Sequence, residues 1–517
     1  MPETGTDIAA QPDPQRWKAL IFIAIAQLMV VLDATVVNIA LPHAQVSLHI
    51  SDADRQWVVT AYSLAFGGLL LFGGRIADLW GRKRAFMIGL IGFALASALG
   101  GSAVNEAMLL GARALQGAFG ALLAPAALSL LAVTFTEAKE RAQAFGIFGA
   151  IAGAGGAVGL LLGGLLTQYT NWRWALFINI FFAVIAAIGA VLFVHERESE
   201  RNRNRLDIPG VVLVTAGLVA LVYGFTKAEL DGWGSGTTIG LFVASAALLA
   251  VFVLVESRTK APLLPLRVIT DRNRGGAYLS LGLAIIGMFG LFFFLTYYMQ
   301  GVKAYSPVMT GVAFLPMIGG MVIGSTQLGA RLMTRVPVRW LMGPGLLLGA
   351  VGMLILTQLS PTSSYPELIM PGMVLLGLGM GTSFMPAMSL STYRVQPQDA
   401  GVASAMISTS QQIGGSIGTA LLNTIAAGAT TSFLAAHHGS KAPLVQVQAL
   451  VHGYDMAIWW AVGILVVSSL IAFILINAGH EAVTPVAGGV GEEIGDLDPA
   501  VLLGNIALET MPQRTTP

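Results

Sequence analysis

The chain has 517 residues, 55% of them apolar and 11% charged, with 28 Lys and Arg against 27 Asp and Glu and a mean hydropathy of +0.75. A soluble domain carries roughly 25% charged residues, so a soluble fold is excluded, and the apolar segments have helix length rather than the alternation of ~10-residue barrel strands. Cysteine is absent, which excludes a disulfide framework, a thiolate metal site and a cysteine nucleophile.

The first sixteen residues, MPETGTDIAAQPDPQR, are acidic and polar and lack the basic start of a cleaved signal peptide. Residues 1–16 are therefore expected to form a cytoplasmic tail, with the first helix acting as its own insertion signal. Windows of roughly 20 apolar residues predict spans near 18–41, 57–76, 85–104, 107–132, 143–166, 173–194, 208–226, 237–256, 276–300, 308–330, 340–359, 368–391, 400–427 and 456–477. The expected fold is an all-α integral membrane protein of fourteen helices, with both termini cytoplasmic. The positive-inside rule supports that count. Only Arg55, Arg173, Lys227, Lys303 and Lys441 fall on the external side, Arg113 lies within a helix, and the other Lys and Arg are internal.

The expected organisation is a six-helix bundle over 17–194, a charged loop over 195–207, two linker helices over 208–256, a second six-helix bundle over 276–477 and a mostly disordered tail over 478–517. Within the second bundle, residues 428–455 are expected to form the longest external loop. The two bundles repeat each other. Gly117 and Gly120 before Pro125 match Gly377, Gly379 and Gly381 before Pro386, and Gly155, Gly156 and Gly159 match Gly414, Gly415 and Gly418. Internal repeats around a midplane site mark secondary transporters.

Asp33 is the only carboxylate between Trp17 and Pro42. A charge at the bilayer centre costs on the order of 2.5–3.5 kcal/mol on insertion scales, so an intramembrane acid marks a proton or cation site by default. Arg113 is its natural partner. At 1.5 Å per residue, Asp33 lies ~12 Å and Arg113 ~9–10 Å below the same membrane face. Facing each other in a water-accessible cavity, the two would form a switchable proton site; the alternative is a purely structural pair. No other acid is expected at mid-membrane depth.

Leu32-Asp-Ala-Thr-Val-Val-Asn-Ile-Ala-Leu-Pro42 resembles the first-helix signature of the fourteen-helix drug:proton antiporters of the major facilitator superfamily. Gly74-Arg-Ile-Ala-Asp78-Leu-Trp-Gly81-Arg82-Lys83 is similar to that superfamily's loop motif, and Arg113-Ala-Leu-Gln116-Gly117 to its helix 4 motif. Asn171-Trp-Arg-Trp174, Leu206-Asp-Ile-Pro-Gly210, and Ala400 to Ala405 with Gln411 to Gly415 also fit, and the resemblance spans 17 to about 477. Three positions depart from the pattern: Leu79 replaces an Arg, Leu160 replaces the Pro of the helix 5 antiporter motif, and Phe119 replaces a small residue.

The resemblance implies proton-coupled export of lipophilic cationic or neutral drugs by alternating access, with Asp33 and Arg113 coupling the proton. It implies a conformational latch at Gly74, Asp78, Gly81, Arg82 and Lys83, and close helix contacts at Gly146, Gly155, Gly159, Gly163 and Gly164. Gln27, Asn38, Trp57, Tyr62, Gln116, Phe293, Tyr297 and Gln300 are the candidates for a greasy substrate cavity with a few polar contacts. The expected partners are a small lipophilic substrate, protons and the lipid of a bacterial cytoplasmic membrane, for a monomer with no cofactor, no metal and no nucleic acid.

Two other readings remain open. One is a narrow exporter of a single metabolite on the same fold, and the other a membrane receptor or enzyme. Gly414-Gly-Ser416-Ile-Gly418 matches a hydrolase elbow only as a string, since no strand precedes it and no His–Asp partners are near.

Overall fold

A computed structural model describes residues 14–52, 54–135, 138–194, 207–259, 262–333, 335–393, 395, 400–437 and 442–479. They form fourteen long helices. These are α1 (Arg16–Leu48), α2 (Trp57–Trp80), α3 (Arg82–Gly101), α4 (Glu106–Thr134), α5 (Ala138–Tyr169), α6 (Trp174–Phe193), α7 (Ile208–Asp231) and α8 (Gly236–Arg258). They continue as α9 (Arg272–Val302), α10 (Pro307–Gly329), α11 (Arg339–Leu356), α12 (Tyr365–Ser391), α13 (Ala400–Ala436) and α14 (Pro443–Leu475). Among the described residues, all except α5 have a stretch long and apolar enough to cross a membrane, and α5 has 32 residues. No strand occurs among the described residues. The predicted tail beyond 479 and the loop at 195–206 lie outside them.

Local sequence sets the helix starts. Side chains of Asn105, Asp207, Ser235, Asp271 and Ser306 each accept a backbone N–H from the first turn of α4, α7, α8, α9 and α10. Pro307 and Pro443 occupy first-turn positions, where a missing N–H costs nothing. The ends run further than hydropathy indicates. α1 passes Pro42 and stops at Leu48, where His49 takes the left-handed conformation (φ 54°). The expected external loop over 428–455 is instead almost wholly helical, because α13 continues to Ala436 and α14 begins at Pro443. Ala, Leu and Gln in these stretches are good helix formers, and a hydropathy window sees only the part of a helix apolar enough for lipid.

The helix contacts repeat with an offset of eight. In the first half, α2 and α3 pack on α4, α1 on α5 and α6, and α3 on α6. In the second, α10 and α11 pack on α12, α9 on α13 and α14, and α11 on α14. The small residues matched by the internal repeat lie at equivalent contacts. A Cβ on Gly117 would strike the Tyr62 carbonyl of α2, and one on Gly377 the Met317 carbonyl of α10. Likewise Gly159 faces Thr35 of α1, and Gly418 faces Ile286 of α9. Backbones approach this closely in membranes only where side chains are absent. The halves meet through α2 with α13 and α5 with α10, while α7 pairs with α8 and leans on α2 and α13.

Phe119 is accommodated rather than anomalous. Its ring fills the place that a Cβ on Gly92 of α3 would occupy, so a large residue on α4 is balanced by a missing one opposite. Leu160, in place of Pro, keeps α5 continuous from Ala138 to Tyr169, and its carbonyl lies 2.5 Å from where a Cβ on Gly311 of α10 would sit. Short π-helical turns interrupt α9 (Tyr298–Val302), α10 (Gly324–Gly329) and α12 (Tyr365–Ile369). Such turns recur at functional sites.

Candidate functional site

Four helices of the first half converge on Asp33. Arg113 of α4 donates from Nη1 to Asp33 Oδ2 at 2.6 Å. Gln116, one turn further along α4, donates to Asp33 Oδ1 at 2.9 Å, and Asn179 of α6 donates to the same oxygen at 2.7 Å. Ser97 Oγ of α3 accepts from Gln116 at 2.7 Å and from Asn179 at 3.3 Å. Arg113 also donates to the Gln116 Oε1 at 2.9 Å and, through Nε, to the Val58 carbonyl of α2 at 2.9 Å. The Tyr62 ring lies over the guanidinium, 4.5 Å from its carbon.

Asp33 is 0% exposed and Arg113 1%. The predicted pairing is present, but not in a water-accessible cavity: in this conformation the pair is sealed. A buried ion pair is tolerated only when its remaining lone pairs and protons are satisfied. The Gln116 and Asn179 amides do this for the carboxylate, and the Val58 carbonyl and Gln116 Oε1 for the guanidinium, so that each hydrogen-bond partner of the carboxylate is a donor. A proton on Asp33 needs one of these bonds to open.

Towards the membrane face opposite the Arg82–Lys83 turn, Arg55 occupies a second buried position. It is 7% exposed, with its guanidinium carbon 4.1 Å from the Tyr297 ring centre and 5.3 Å from that of Phe293, both on α9. Its Nη1 lies 3.2 Å from Asp52. A residue of the α1–α2 loop is thus held between aromatic rings of the other half. Nearby, Gln300 donates to the Ile39 carbonyl of α1 at 3.0 Å, and Gln168 of α5 accepts the Val308 N–H of α10 at 3.3 Å. These contacts close that face. Arg113 also lines a small pocket of about 10 Å³ together with Val37, Leu41, Val58, Leu109 and Trp172.

The α5 glycines divide between two partners. Gly155, Gly159 and Gly163 pack on Leu28, Val31, Thr35 and Val36 of α1, the helix that carries Asp33, while Gly164 packs on Val308 of α10. Gly146 lies on α5, and its surroundings fall outside the described residues, as does the side chain of Asp78 on α2. Gly74 has Pro125 of α4 3.6 Å from a Cβ position. Gly81 has φ +100°, a conformation only glycine adopts readily, and joins α2 to α3. Lys83 donates to the Val191 and Val194 carbonyls at 3.3 and 2.7 Å, capping the end of α6. Arg82 is half-buried at the start of α3.

The expected cavity residues do not form one group. Gln116 and Tyr62 belong to the Asp33 cluster, and Phe293, Tyr297 and Gln300 to the closure of the opposite face. Asn38 turns back to the Ala34 carbonyl at 2.9 Å, Trp57 packs on Tyr223 of α7 with ring centres 6.1 Å apart, and Gln27 is half-buried on α1. Sequence reasoning missed Asn179, Ser97 and the burial of Arg55. Asn179 left a signal, as the one polar side chain in the span WALFINIFFAVIAAIGAVLF. Ser97 left none.

Two repeated sets of six helices with two more between them, and a sealed acid–base pair in the first set, define a membrane transporter architecture, and sequence comparison supplies the family. The chain belongs to the Major Facilitator Superfamily, whose family model matches residues 23–419. It is 51% identical over 473 residues to the puromycin resistance protein pur8 of Streptomyces alboniger, covering 91% of this chain and 93% of that one. It is 38% identical over 426 residues to the cephamycin export protein CmcT of Amycolatopsis lactamdurans, covering 81% and 88%. Among solved structures, the fold is similar to a bacterial homolog of the human lysosomal transporter Spinster in an inward-facing, unoccupied conformation, with a TM-score of 0.63, 17% identity and coverage of 92% and 100%.

Proposed function

We propose that this chain is a proton-coupled exporter of lipophilic cationic or neutral antibiotics, resident in the bacterial cytoplasmic membrane with both ends inside. The observation that carries the reading is the Asp33–Arg113 pair, sealed among Gln116, Asn179 and Ser97. A buried carboxylate is expensive unless it has work that apolar residues cannot do. Asp33 holds the proton in turn with substrate export, and Arg113 tunes it by approaching or withdrawing.

Geometry supports a route for that coupling. α1 carries Asp33 and, six residues on, the Ile39 carbonyl held by Gln300 of the other half. The same helix lies against the α5 glycines, and α5 reaches α10 through Gly164. Opening the Arg55 face parts α9 and α10 from α1 and α5, which strains the Asp33 cluster and admits water and a proton. The Gly74–Lys83 turn latches the closed state from the inside, the two six-helix halves rock about α2–α13 and α5–α10, and substrate enters between them near Gln27, Asn38 and Trp57. The chain acts as a monomer and catalyses no covalent chemistry.

A narrower reading, export of one antibiotic or metabolite, draws on the names of the two relatives above, puromycin resistance and cephamycin export, each of which specifies a single compound or class. One experiment tests both. The chain is expressed in a bacterial strain stripped of its own efflux pumps, and accumulation of puromycin and of ethidium is followed with and without a protonophore. The proposal predicts that both accumulate less in expressing cells and that the protonophore abolishes the difference. Lowered puromycin with unchanged ethidium selects the narrow reading, and no change in either rejects export of this class.

A further inference from the structure

Two carboxylates meet where α7 begins and α8 ends. Asp207 caps α7: its Oδ1 accepts the Gly210 N–H at 3.0 Å, while Oδ2 is buried with no hydrogen-bond partner. Glu256, on the last turn of α8, is 3% exposed; its Oε2 accepts the Leu264 N–H at 3.1 Å, while Oε1 is buried with no partner. Both unpartnered oxygens lie against Gly210: a Cβ there would lie 2.6 Å from Asp207 Oδ2 and 2.7 Å from Glu256 Oε1. This explains the glycine of the Leu206-Asp-Ile-Pro-Gly210 motif, because any side chain there would collide with both oxygens.

No described cation pairs with either group. Arg75 of α2 donates to the Pro262 carbonyl at 2.8 Å. Arg258 is exposed, and α13 has no charged residue. Val211, Phe252, Leu263 and Leu264 form an apolar cluster beside the pair, joined by Phe72 of α2 and Val402 of α13. Two anions cannot both persist, adjacent and desolvated, without a neutralising species. A hard cation would need six or more oxygen ligands, whereas the neighbouring backbone offers N–H groups from Gly210 and Leu264.

We propose that Asp207 and Glu256 share one proton across Gly210, forming a second proton-binding site separate from Asp33. With the proton present, the pair pins the 262–264 segment over the contact between α2 and α13. Without it, charge repulsion releases Leu264 and, through Pro262, Arg75. The site thus reports internal pH to the junction of the two halves.

The test is infrared spectroscopy of the full-length protein in lipid nanodiscs near neutral pH, in H2O and D2O. The parent is expected to show a carboxylic-acid C=O band that shifts down in D2O, is lost in both Glu256→Gln and Asp207→Asn, and persists in Asp33→Asn. If one of the first two variants fails to fold, the other suffices. A band absent from the parent, or lost only in Asp33→Asn, overturns the proposal. So does a band that disappears on adding Mg2+ or Ca2+ while the melting temperature rises in the parent but not in Glu256→Gln, since the pair would then hold a cation. Because Asp33→Asn is the control, failure here is distinguishable from failure of the export reading.

Discussion

Arg113 Nη1 and Asp33 Oδ2 are 2.6 Å apart with at most 1% of either side chain exposed, and each remaining bond of Asp33 comes from an amide. Removing one partner of such a pair leaves an uncompensated buried charge, which costs about 3–5 kcal/mol. Arg113→Ala is therefore expected to lower the melting temperature of the purified protein sharply. Arg113→Ala combined with Asp33→Asn should recover much of the loss, because the stranded charge is gone. Additive losses in the double variant would show that the pair is not coupled.

Asn179 and Gln116 should differ from ordinary polar residues of a bundle. Asn179→Leu removes the donor to Asp33 Oδ1 and leaves Ser97 with one partner fewer. A lost hydrogen bond to a charged group costs about 1.5–3 kcal/mol. The variant is expected to reach the membrane at normal levels, but with a shifted pH dependence of transport. Asn179→Asp, which places a second carboxylate beside the first, should be inactive at neutral pH. An unchanged pH profile in Asn179→Leu would remove it from the proton site.

The α5 contacts predict position-specific tolerance. A Cβ on Gly163 would lie 2.9 Å from Val36 Cα and 3.0 Å from its carbonyl oxygen, both backbone atoms of α1 that cannot turn aside. On Gly156 it would meet only Ile318 Cδ1 at 3.9 Å. Gly163→Ala should cost about 1–3 kcal/mol by overpacking and impair transport, while Gly156→Ala should be near neutral. Equal effects in a transport assay would contradict the contact assignment.

Arg55 tests closure of the opposite face. Its planar guanidinium lies on Tyr297 at 4.1 Å, a contact that Lys reproduces poorly. The chain has no cysteine, so a single Asn38→Cys can be labelled without background. Arg55→Ala is expected to speed its labelling by a membrane-impermeant maleimide added from outside, and Arg55→Lys to do so less. Labelling unchanged by either variant would mean that Arg55 does not hold that face shut.

Much of this was legible in the sequence because membranes restrict the options. All fourteen helices follow from apolar length, and the Asp33–Arg113 encounter from matching depth together with the family resemblance that makes helices 1 and 4 neighbours. What the sequence concealed is lateral. Asn179 reaches Asp33, and Ser97 reaches the amides that hold it, only because α3 and α6 flank α1 and α4, and nothing in their spacing encodes that. Gln116 read as a cavity residue because a polar side chain in a span has two possible destinations, substrate or a buried partner. Arg55 read as a simple external charge because charge counting ignores the rings of α9, more than 200 positions away. The ends of α13 and α14 were misjudged because helix formation does not stop where lipid solubility does.

The central claim is that Asp33 couples a proton to export. It is tested most directly in proteoliposomes of the purified parent and of Asp33→Asn, by measuring puromycin accumulation driven by an imposed proton gradient beside puromycin exchange without one. The parent should accumulate substrate only with the gradient, whereas Asp33→Asn should exchange it but never accumulate it. Gradient-driven accumulation by Asp33→Asn at the parent's level would leave the buried pair a structural feature with no part in coupling.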